Sequence, residues 1–238
     1  MRLSLALIRI SRLVAAVSLL LSSAALVPSA LAAQCGGDFN AFLATMSREA
    51  QAQGVSRAVI DQAFAGVTQD QGVLSFDRRQ RGTFRKSFEE YVATRVGPAR
   101  IKRGQQLLQR HAQLLARIEQ RFGVPKEIVV AIWGLESDFG ANMGNLPTLR
   151  SLVSLAYDCR RSDMFQNETI AALKIIDRGD LTPNEMIGSW AGELGQTQFL
   201  PTHYFNYAVD YDGDGRRDML RSAPDVIGST ANYIANGL

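Results

Sequence analysis

The stretch that decides the fold reads Gly123-Val124-Pro125-Lys126-Glu127-Ile128-Val129-Val130-Ala131-Ile132-Trp133-Gly134-Leu135-Glu136-Ser137-Asp138-Phe139-Gly140. The proline near its start and the glycine at its end predict a short helix between them. Apolar side chains recur at helical spacing on the face that we expect to be buried: Ile128, Ala131, Ile132 and Leu135. At about 100° per residue, Glu136 lies roughly 40° beyond Ile132, at the border of this face, and Asp138 points to nearly the opposite side.

Glu136 is therefore predicted to have the surroundings that a glycosidase needs around its general acid. Burial disfavours the charged form of a carboxyl group and raises its pKa, so that a proton is available near neutral pH. The same pattern also fits a solvated glutamate near a helix end, or a salt-bridge partner. The helix alone leaves these alternatives open.

The pattern of the remaining chain is also helical. Two amphipathic helices are predicted in the first half, one on Phe39, Phe42, Leu43 and Met46 and one on Phe84, Phe88, Tyr91 and Val92. A longer helix is predicted from Pro98 to Phe122, where Gly123 ends it. Thr182-Pro183-Asn184-Glu185 has the form of a capping box and predicts another helix, which would carry Met186 and Trp190. No segment alternates apolar and polar residues, so the fold class is mainly α.

The N-terminus has the three-part layout of a secretory signal. Three arginines precede an apolar run over residues 13–27, and Ala30-Leu31-Ala32 supplies a small-x-small cleavage site. The alternatives are a membrane anchor and a lipoprotein. However, the uncharged run is barely long enough to span a bilayer, and Gln34 before Cys35 is not the small residue that a lipid-attachment site requires. We predict a signal peptide over residues 1–32, and no transmembrane segment after its removal.

The charge and the cysteines narrow the class of the protein further. The 26 Lys and Arg outnumber the 23 Asp and Glu, but three of the arginines lie in the signal segment. The exported chain is thus near neutral, which does not favour nucleic acid as a partner. Cys35 and Cys159 are the two cysteines. One disulfide between them is the economical interpretation in an oxidising compartment. No motif for an organic cofactor is present.

Several separated motifs resemble those of the membrane-bound lytic murein transglycosylase B family, and they occur in that family's order. They are Val124-Pro125 through Gly140, Cys159-Arg160-Arg161, Gly188-Ser189, Gly195-Gln196-Thr197-Gln198-Phe199-Leu200-Pro201 and Ala231-Asn232-Tyr233. The resemblance implies a lysozyme-like helical catalytic core over residues 123–238, with an additional N-terminal helical portion over residues 33–122. It also implies a periplasmic enzyme that acts on peptidoglycan glycan strands, alone or together with other cell-wall enzymes.

The family's reaction cleaves the β-1,4 bond between N-acetylmuramic acid and N-acetylglucosamine and leaves a 1,6-anhydro sugar. Glu136 matches the family's acid/base. The resemblance further implies that six residues bind the glycan: Ser189, Gln198, Phe199, Arg160, Arg161 and Tyr233. Taken without it, the two aromatic residues also fit a core position, and the two arginines also fit a solvated helix end.

Residues 210–225 form an Asp-rich loop with the front half of a calcium-binding pattern. Asp210, Asp212, Asp214 and the backbone of Arg216 occupy loop positions 1, 3, 5 and 7. Position 12 carries Arg221 in place of the usual glutamate, so Asp225 is the expected closing ligand. The alternative is a polar turn without a metal. We expect a calcium ion here to have a structural role.

Two other functions remain open at this stage. Glu193 lies in the segment Gly192-Glu193-Leu194-Gly195, where the family often has a small apolar residue. If it faced Glu136, the pair could run a hydrolytic reaction like that of a muramidase, with two carboxyl groups. The second alternative is a non-catalytic protein that keeps the fold and binds peptidoglycan.

Overall fold

The computed structural model describes residues 33–80 and 87–238. Within these ranges the fold is mainly α, as predicted. The helices are α1 (Phe39–Ala52), α2 (Arg57–Phe64), α3 (Gln71–Arg79), α4 (Phe88–Arg95), α5 (Pro98–Arg110), α6 (Ala112–Phe122), α7 (Lys126–Ser137), α8 (Thr148–Tyr157), α9 (Ser162–Asp177), α10 (Pro201–Tyr207) and α11 (Ala223–Asn236). The predicted signal peptide and Phe84 lie outside the described residues. In the described ranges, no helix combines the length and the apolar character needed to cross a membrane.

One short antiparallel pair of strands accompanies the helices. Strand β1 (Leu146–Pro147) pairs with β2 (Ile187–Gly188), and Leu146 faces Gly188. The backbones are close here, because a Cβ atom added to Gly144 would lie 2.1 Å from the carbonyl oxygen of Gly188. A side chain at position 144 is therefore excluded, which explains why a glycine occupies it.

The helix predicted from Pro98 to Phe122 is divided at His111. This residue has φ −105° and ψ 20°, and it separates α5 from α6. The two halves have different partners, since α5 packs against α7 whereas α6 packs against α11. Leu115 and Ile118 of α6 are buried, but only Gly104 of α5 is. A straight helix could not serve both neighbours, so the prediction of one long helix was wrong.

Helix α7 forms as predicted, but it buries a different face. Val129, Val130 and Trp133 are in the core, whereas Ile128 and Leu135 are 48% and 41% exposed. The helix is apolar on nearly all sides, so its sequence does not determine which side faces inward. Packing against α5, α6 and α11 makes that choice. The predicted buried face was therefore wrong.

The helix predicted after Thr182 does not form, although its capping contacts do. The backbone N–H and the hydroxyl of Thr182 each donate a hydrogen bond of 2.9 Å to the Glu185 carboxylate. The chain then makes a turn and enters β2 instead of a helix. The carbonyl of Met186 accepts a hydrogen bond of 2.9 Å from the N–H of Thr148. Pairing with the segment around β1 outweighs the local helix signal.

The core joins the residues on either side of position 122. Met46 and Ile60 from the N-terminal helices pack in the same hydrophobic cluster as Leu173 of α9 and Ile227 of α11. A disulfide joins Cys35 and Cys159, whose Cα atoms are 5.2 Å apart. It fastens the start of the described chain to the segment between α8 and α9.

Candidate active site

Glu136 lies in the last turn of α7, and the end of this helix is firmly held. Asp138 and Phe139 both adopt positive φ angles, 53° and 59°, which turn the chain sharply away from the helix. The Ser137 hydroxyl donates to the backbone carbonyl of Gln196 and accepts a hydrogen bond of 2.8 Å from the N–H of Gly140. These contacts fix the turn that follows Glu136.

The loop between Leu194 and Phe199 lies beside this helix end. Its first and last residues are joined by two backbone hydrogen bonds, of 2.8 and 2.9 Å. Gln198 within the loop has φ 50°, and its side-chain amide donates to the carbonyls of Met143 and Gly195, at 3.2 and 2.9 Å. The loop is therefore tied both to itself and to the segment that follows α7.

The electrostatic surroundings of Glu136 favour its protonated form. Glu136 is an exposed residue, but the protein around it removes part of its hydration, and this desolvation raises the pKa of its carboxyl group. The negative charge of Glu193 raises that pKa further, and the positive charge of Arg95 partly opposes both effects. Among the described residues, no hydrogen bond or ion pair engages the Glu136 carboxylate.

Glu193, which sequence analysis raised as a possible second carboxyl group, is held by Ser189. The Ser189 hydroxyl donates a hydrogen bond of 2.7 Å to Glu193 Oε2. Glu193 is half-buried, and its charge acts on Glu136. The structure thus joins Glu193 to Ser189, and Glu193 acts on Glu136 through its charge.

A groove of about 440 Å³, lined in part by Ser189, lies between α3 and the segments around β1 and β2. We call it the α3 groove; Phe76 and Arg79 of α3 line one side, and Asn142, Asn145, Ser189, Trp190 and Gln198 line the other. The rings of Phe76 and Trp190 are 5.1 Å apart. Sequence reasoning missed Phe76 and assigned Trp190 to a helix. A signal for Trp190 was its position directly after the Gly188-Ser189 motif.

Arg160 and Arg161 have a partner inside the protein. Both guanidinium groups bind the carboxylate of Asp77, which is 2% exposed. Burial favours the neutral form of Asp77, but the hydrogen bonds and charges of the two arginines outweigh this and lower its pKa. Arg161 also lies over the ring of Phe165, 4.8 Å from its centre. This pair connects α3 to the start of α9, and neither arginine lines the α3 groove.

Phe199 and Tyr233 belong to an aromatic cluster with His203 and Tyr207. Phe199 is 4% exposed and contacts the Tyr233 ring edge-on at 5.2 Å. Tyr233 stacks on His203 at 4.6 Å. Phe199 thus takes the core position that its sequence alone also allowed, and Tyr233 is half-buried beside it. Gln198, which precedes Phe199 in the motif from Gly195 to Pro201, lines the α3 groove instead.

The Asp-rich loop gathers three of its predicted metal ligands. Carboxylate oxygens of Asp210, Asp212 and Asp214 lie within 4.8 Å of one another. Such a group of oxygens fits a hard cation such as calcium. Asp225 has a different role, because it is fully buried and accepts hydrogen bonds of 2.7 Å from the N–H groups of Tyr211 and Asp218. It therefore organises the loop backbone.

Arg216 stands at the seventh position of the same loop. Its side chain donates to the carbonyl of Asp180, and its N–H donates to the Asp214 carboxylate at 2.8 Å. The side chain thus points to a neighbouring segment, as expected for a residue that would offer a metal only its backbone.

Residues 38–237 match the transglycosylase SLT domain family. The chain belongs to this family. The match crosses residue 122, so the family's domain includes both of the portions that sequence analysis separated. Within the family, the membrane-bound lytic murein transglycosylase B of Escherichia coli strain K12 is 35% identical over 139 residues, which cover 58% of this chain and 38% of that protein.

Solved structures of related enzymes have the same fold. SltB3 from Pseudomonas aeruginosa, in complex with NAG-NAM-pentapeptide, is 43% identical with a TM-score of 0.80; the match covers 84% of this chain and 53% of that one. The Escherichia coli lytic transglycosylase Slt35, in complex with calcium, is 29% identical with a TM-score of 0.73, over 85% and 65% of the two chains. The lysozyme-like helical fold class is confirmed. This chain spans about half the length of the SltB3 chain.

Proposed function

We propose that the protein is a lytic transglycosylase that cleaves the β-1,4 bond between N-acetylmuramic acid and N-acetylglucosamine in peptidoglycan and leaves 1,6-anhydromuramic acid ends. The observation that carries the proposal is the state of Glu136. It lies at the fixed end of α7, and burial together with the charge of Glu193 raises its pKa. Those are the conditions that keep a general acid protonated near neutral pH.

The α3 groove supports a polymeric sugar as the substrate. It is an open groove with aromatic rings at Phe76 and Trp190 and amide side chains at Asn142, Asn145 and Gln198. Aromatic rings pack on sugar faces, and amides exchange hydrogen bonds with hydroxyl and acetamido groups. Ser189 lines the groove and contacts Glu193, whose charge acts on Glu136.

In the proposed reaction, Glu136 serves first as an acid and then as a base. Its proton passes to the glycosidic oxygen as the bond from that oxygen to C1 of the muramic acid breaks, and the bonding electron pair leaves with the oxygen. The Glu136 carboxylate then takes the proton of the C6 hydroxyl, whose oxygen forms the new bond to C1. Because the nucleophile belongs to the substrate, one proton-transferring carboxyl group is sufficient, whereas hydrolases use two.

Mass spectrometry of digested sacculi tests the proposal. The unmodified protein should release muropeptides with anhydro ends. Glu136→Gln should release none while keeping its thermal stability. Glu127→Gln, which removes one carboxylate from the first turn of the same helix, is the matched control and should retain activity. Anhydro products from Glu136→Gln would contradict the role given to this residue.

A muramidase that hydrolyses the same bond is the second candidate, and the electrostatic effect of a second carboxylate, Glu193, on Glu136 favours it. Glu193 would then activate a water molecule, and the products would have reducing ends. Mainly reducing ends in the same digest would replace our proposal by this one. A protein that binds sacculi but releases neither product would be a peptidoglycan-binding protein.

We extend the proposal to a structural calcium ion held by Asp210, Asp212 and Asp214. Three carboxylates on one loop repel one another, and a bound cation would relieve this. Calcium added to chelator-treated protein should bind in a calorimetric titration and raise the melting temperature. Asp212→Asn should weaken both effects, and Asp163→Asn, an exposed residue of α9, should not. No binding at millimolar calcium would refute this site.

We also propose that the protein is exported to the periplasm and that residues 1–32 are removed there. The small-x-small site Ala30-Leu31-Ala32 supports this cleavage. N-terminal sequencing of the exported protein should begin at Ala33. A first residue inside the apolar run, or an uncleaved chain, would contradict the proposal.

A further inference from the structure

Arg79 is the charged residue of the α3 groove. Of the groove-lining residues that the structure describes, it alone is charged at neutral pH. It lies in the last turn of α3 and is exposed. The other polar side chains of the lining are amides and a hydroxyl, which are neutral. A carboxylate that entered the groove would therefore be attracted by Arg79 and repelled by none of these lining residues.

Each aspartate in or beside α3 is paired with another arginine. The pairs are Asp70 with Arg150, Asp77 with Arg160 and Arg161, and Asp158 with Arg78. Among the described residues no acid pairs with Arg79, and the two segments outside them, residues 1–32 and 81–86, contain no Asp or Glu. The charge of the Arg79 guanidinium is thus available to a ligand.

The groove face of α3 places this cation next to an aromatic pair. Val73, Phe76 and Arg79 follow one another at intervals of three residues. Residues three apart are neighbours on a helix surface, with Cβ atoms about 5 to 6 Å apart. The ring of Phe76 is 5.1 Å from that of Trp190. The groove therefore presents a surface for a sugar ring and, about one helical turn further, a partner for a carboxylate.

The opposite side of the groove offers neutral hydrogen-bonding groups. Asn142 and Asn145 are exposed there, and their side-chain amides make no hydrogen bond in the described part of the chain. Glu193 contacts this side through the Ser189 hydroxyl at 2.7 Å, but it is not among the lining residues. The two amides can bind the neutral part of such a ligand, for example its acetamido or peptide groups.

We propose that Arg79 binds a carboxylate of the stem peptide on N-acetylmuramic acid, so that the α3 groove distinguishes acidic stem peptides from amidated ones. The inference rests on the proposed function and deepens it, because it names the part of the substrate that one residue recognises. A guanidinium matches a carboxylate with two parallel hydrogen bonds. The stem peptide is joined through an amide bond to the lactyl group of the sugar, so its carboxylates are the acidic groups that accompany the sugar ring into the groove.

The first test measures binding to a probe that the proposed reaction cannot cleave. NAG-NAM-pentapeptide has no bond from N-acetylmuramic acid to a following N-acetylglucosamine, and the same compound with its carboxyl groups converted to amides lacks only the acidic groups. In calorimetric titrations at low salt, the acid form should bind about fivefold more tightly than the amide form. Arg79→Gln should abolish this preference, and Arg79→Lys should retain part of it. An undiminished preference in Arg79→Gln, or none in the unmodified protein, would overturn the proposal.

Arg78→Gln is the matched control. Arg78 is adjacent and equally exposed, but it pairs with Asp158 at 3.4 Å and does not line the groove. Its removal changes the net charge by the same amount and should leave the preference intact. An equal loss in both variants would mean that the overall charge of α3 attracts the peptide, which would refute a site at Arg79. Phe76→Ala should weaken binding of both probes by the same factor, because the ring contacts the sugar.

The second test uses turnover of longer glycan strands. With acidic stem peptides, Arg79→Gln should raise KM about fivefold and leave kcat unchanged. With strands whose carboxyl groups have been converted to amides, Arg79→Gln and the unmodified protein should have the same KM. A lower kcat at unchanged KM would contradict a role in binding. If the unmodified protein releases no anhydro ends, the proposed function fails, while the calorimetric titrations still decide the role of Arg79.

Discussion

The indole N–H of Trp133 donates a hydrogen bond of 2.8 Å to the side-chain carbonyl of Gln196. The side-chain amide nitrogen of Gln196 donates in turn to the backbone carbonyl of Leu220 at 2.8 Å. The backbone N–H of Gln196 donates to the backbone carbonyl of Met219 at 2.9 Å. One glutamine thus connects the buried face of α7 to the segment before α11. Since Glu136 lies one turn beyond Trp133, this connection also supports the acid.

Gln196→Ala should therefore reduce both stability and turnover. The change leaves the Trp133 N–H and the Leu220 carbonyl without their partner, at a cost of about 1 to 3 kcal/mol in the free energy of unfolding. The rate of muropeptide release should fall more than the affinity for sacculi, because the acid moves and the groove does not. Urea unfolding and turnover measurements check this, with Gln113→Ala on the exposed side of α6 as control. Full activity at reduced stability would contradict the link to Glu136.

Arg95→Gln should move the activity profile to higher pH. A group that acts in its protonated form loses activity as the pH rises through its pKa, and Arg95 lowers the pKa of Glu136. Without that charge, the pH at which half of the activity is lost should rise, although solvent screening keeps the effect small. Arg48→Gln on α1 serves as the control, because it removes an exposed charge that is far from Glu136 in the sequence. A profile displaced to lower pH would be incompatible with this reasoning.

Phe76→Ala should weaken glycan binding with little effect on the fold. Phe76 is 41% exposed in the α3 groove and contacts Trp190. Loss of an aromatic contact of about 1 kcal/mol should raise KM roughly fivefold. Phe88→Ala removes a ring that is 77% exposed on α4 and is the matched control. If both variants raised KM equally, the α3 groove would not be the binding surface.

Glu185→Gln should lower stability at neutral pH and have less effect in acid. Hydrogen bonds from the Thr182 backbone and from Arg221 lower the pKa of Glu185 to about 2. A depressed carboxyl pKa stabilises the fold above the value in the unfolded chain, and this contribution is lost as the pH falls from about 5 towards 2. After allowance for partial solvent screening, the difference at neutral pH should be about 1 to 2 kcal/mol. Urea unfolding at several pH values measures it, and a difference that stays constant would refute the assignment.

The sequence allowed the helical class and the family to be predicted, because these depend on local spacing and on motifs. What it could not supply was the choice between equivalent surfaces. Helix α7 is apolar on most sides, so Ile128 and Val129 were equally good candidates for the core, and only packing against α5, α6 and α11 separates them. The division between α5 and α6 at His111 likewise depends on the different neighbours against which the two helices pack.

Hydrogen-bond partners in the site were also beyond local reasoning. Ser189 was assigned to the glycan, but a carboxylate four residues later takes its hydroxyl. Arg160 and Arg161 were assigned to the glycan as well, but both bind Asp77, more than 80 residues earlier. The capping contacts at Thr182 form, but the chain after them pairs as strand β2 and does not continue as a helix. In each case a group outside the motif itself decided the outcome.

The disulfide between Cys35 and Cys159 has a consequence for how the chain matures. These are the two cysteines of the sequence, so oxidation of a single molecule has one outcome and no scrambled isomers exist. During synthesis Cys35 is made 124 residues before its partner and must wait with an unpaired thiol. The incorrect disulfides that this protein can form are therefore bonds between two molecules. Refolding from the reduced state should give one monomeric product at high dilution and covalent dimers at high concentration.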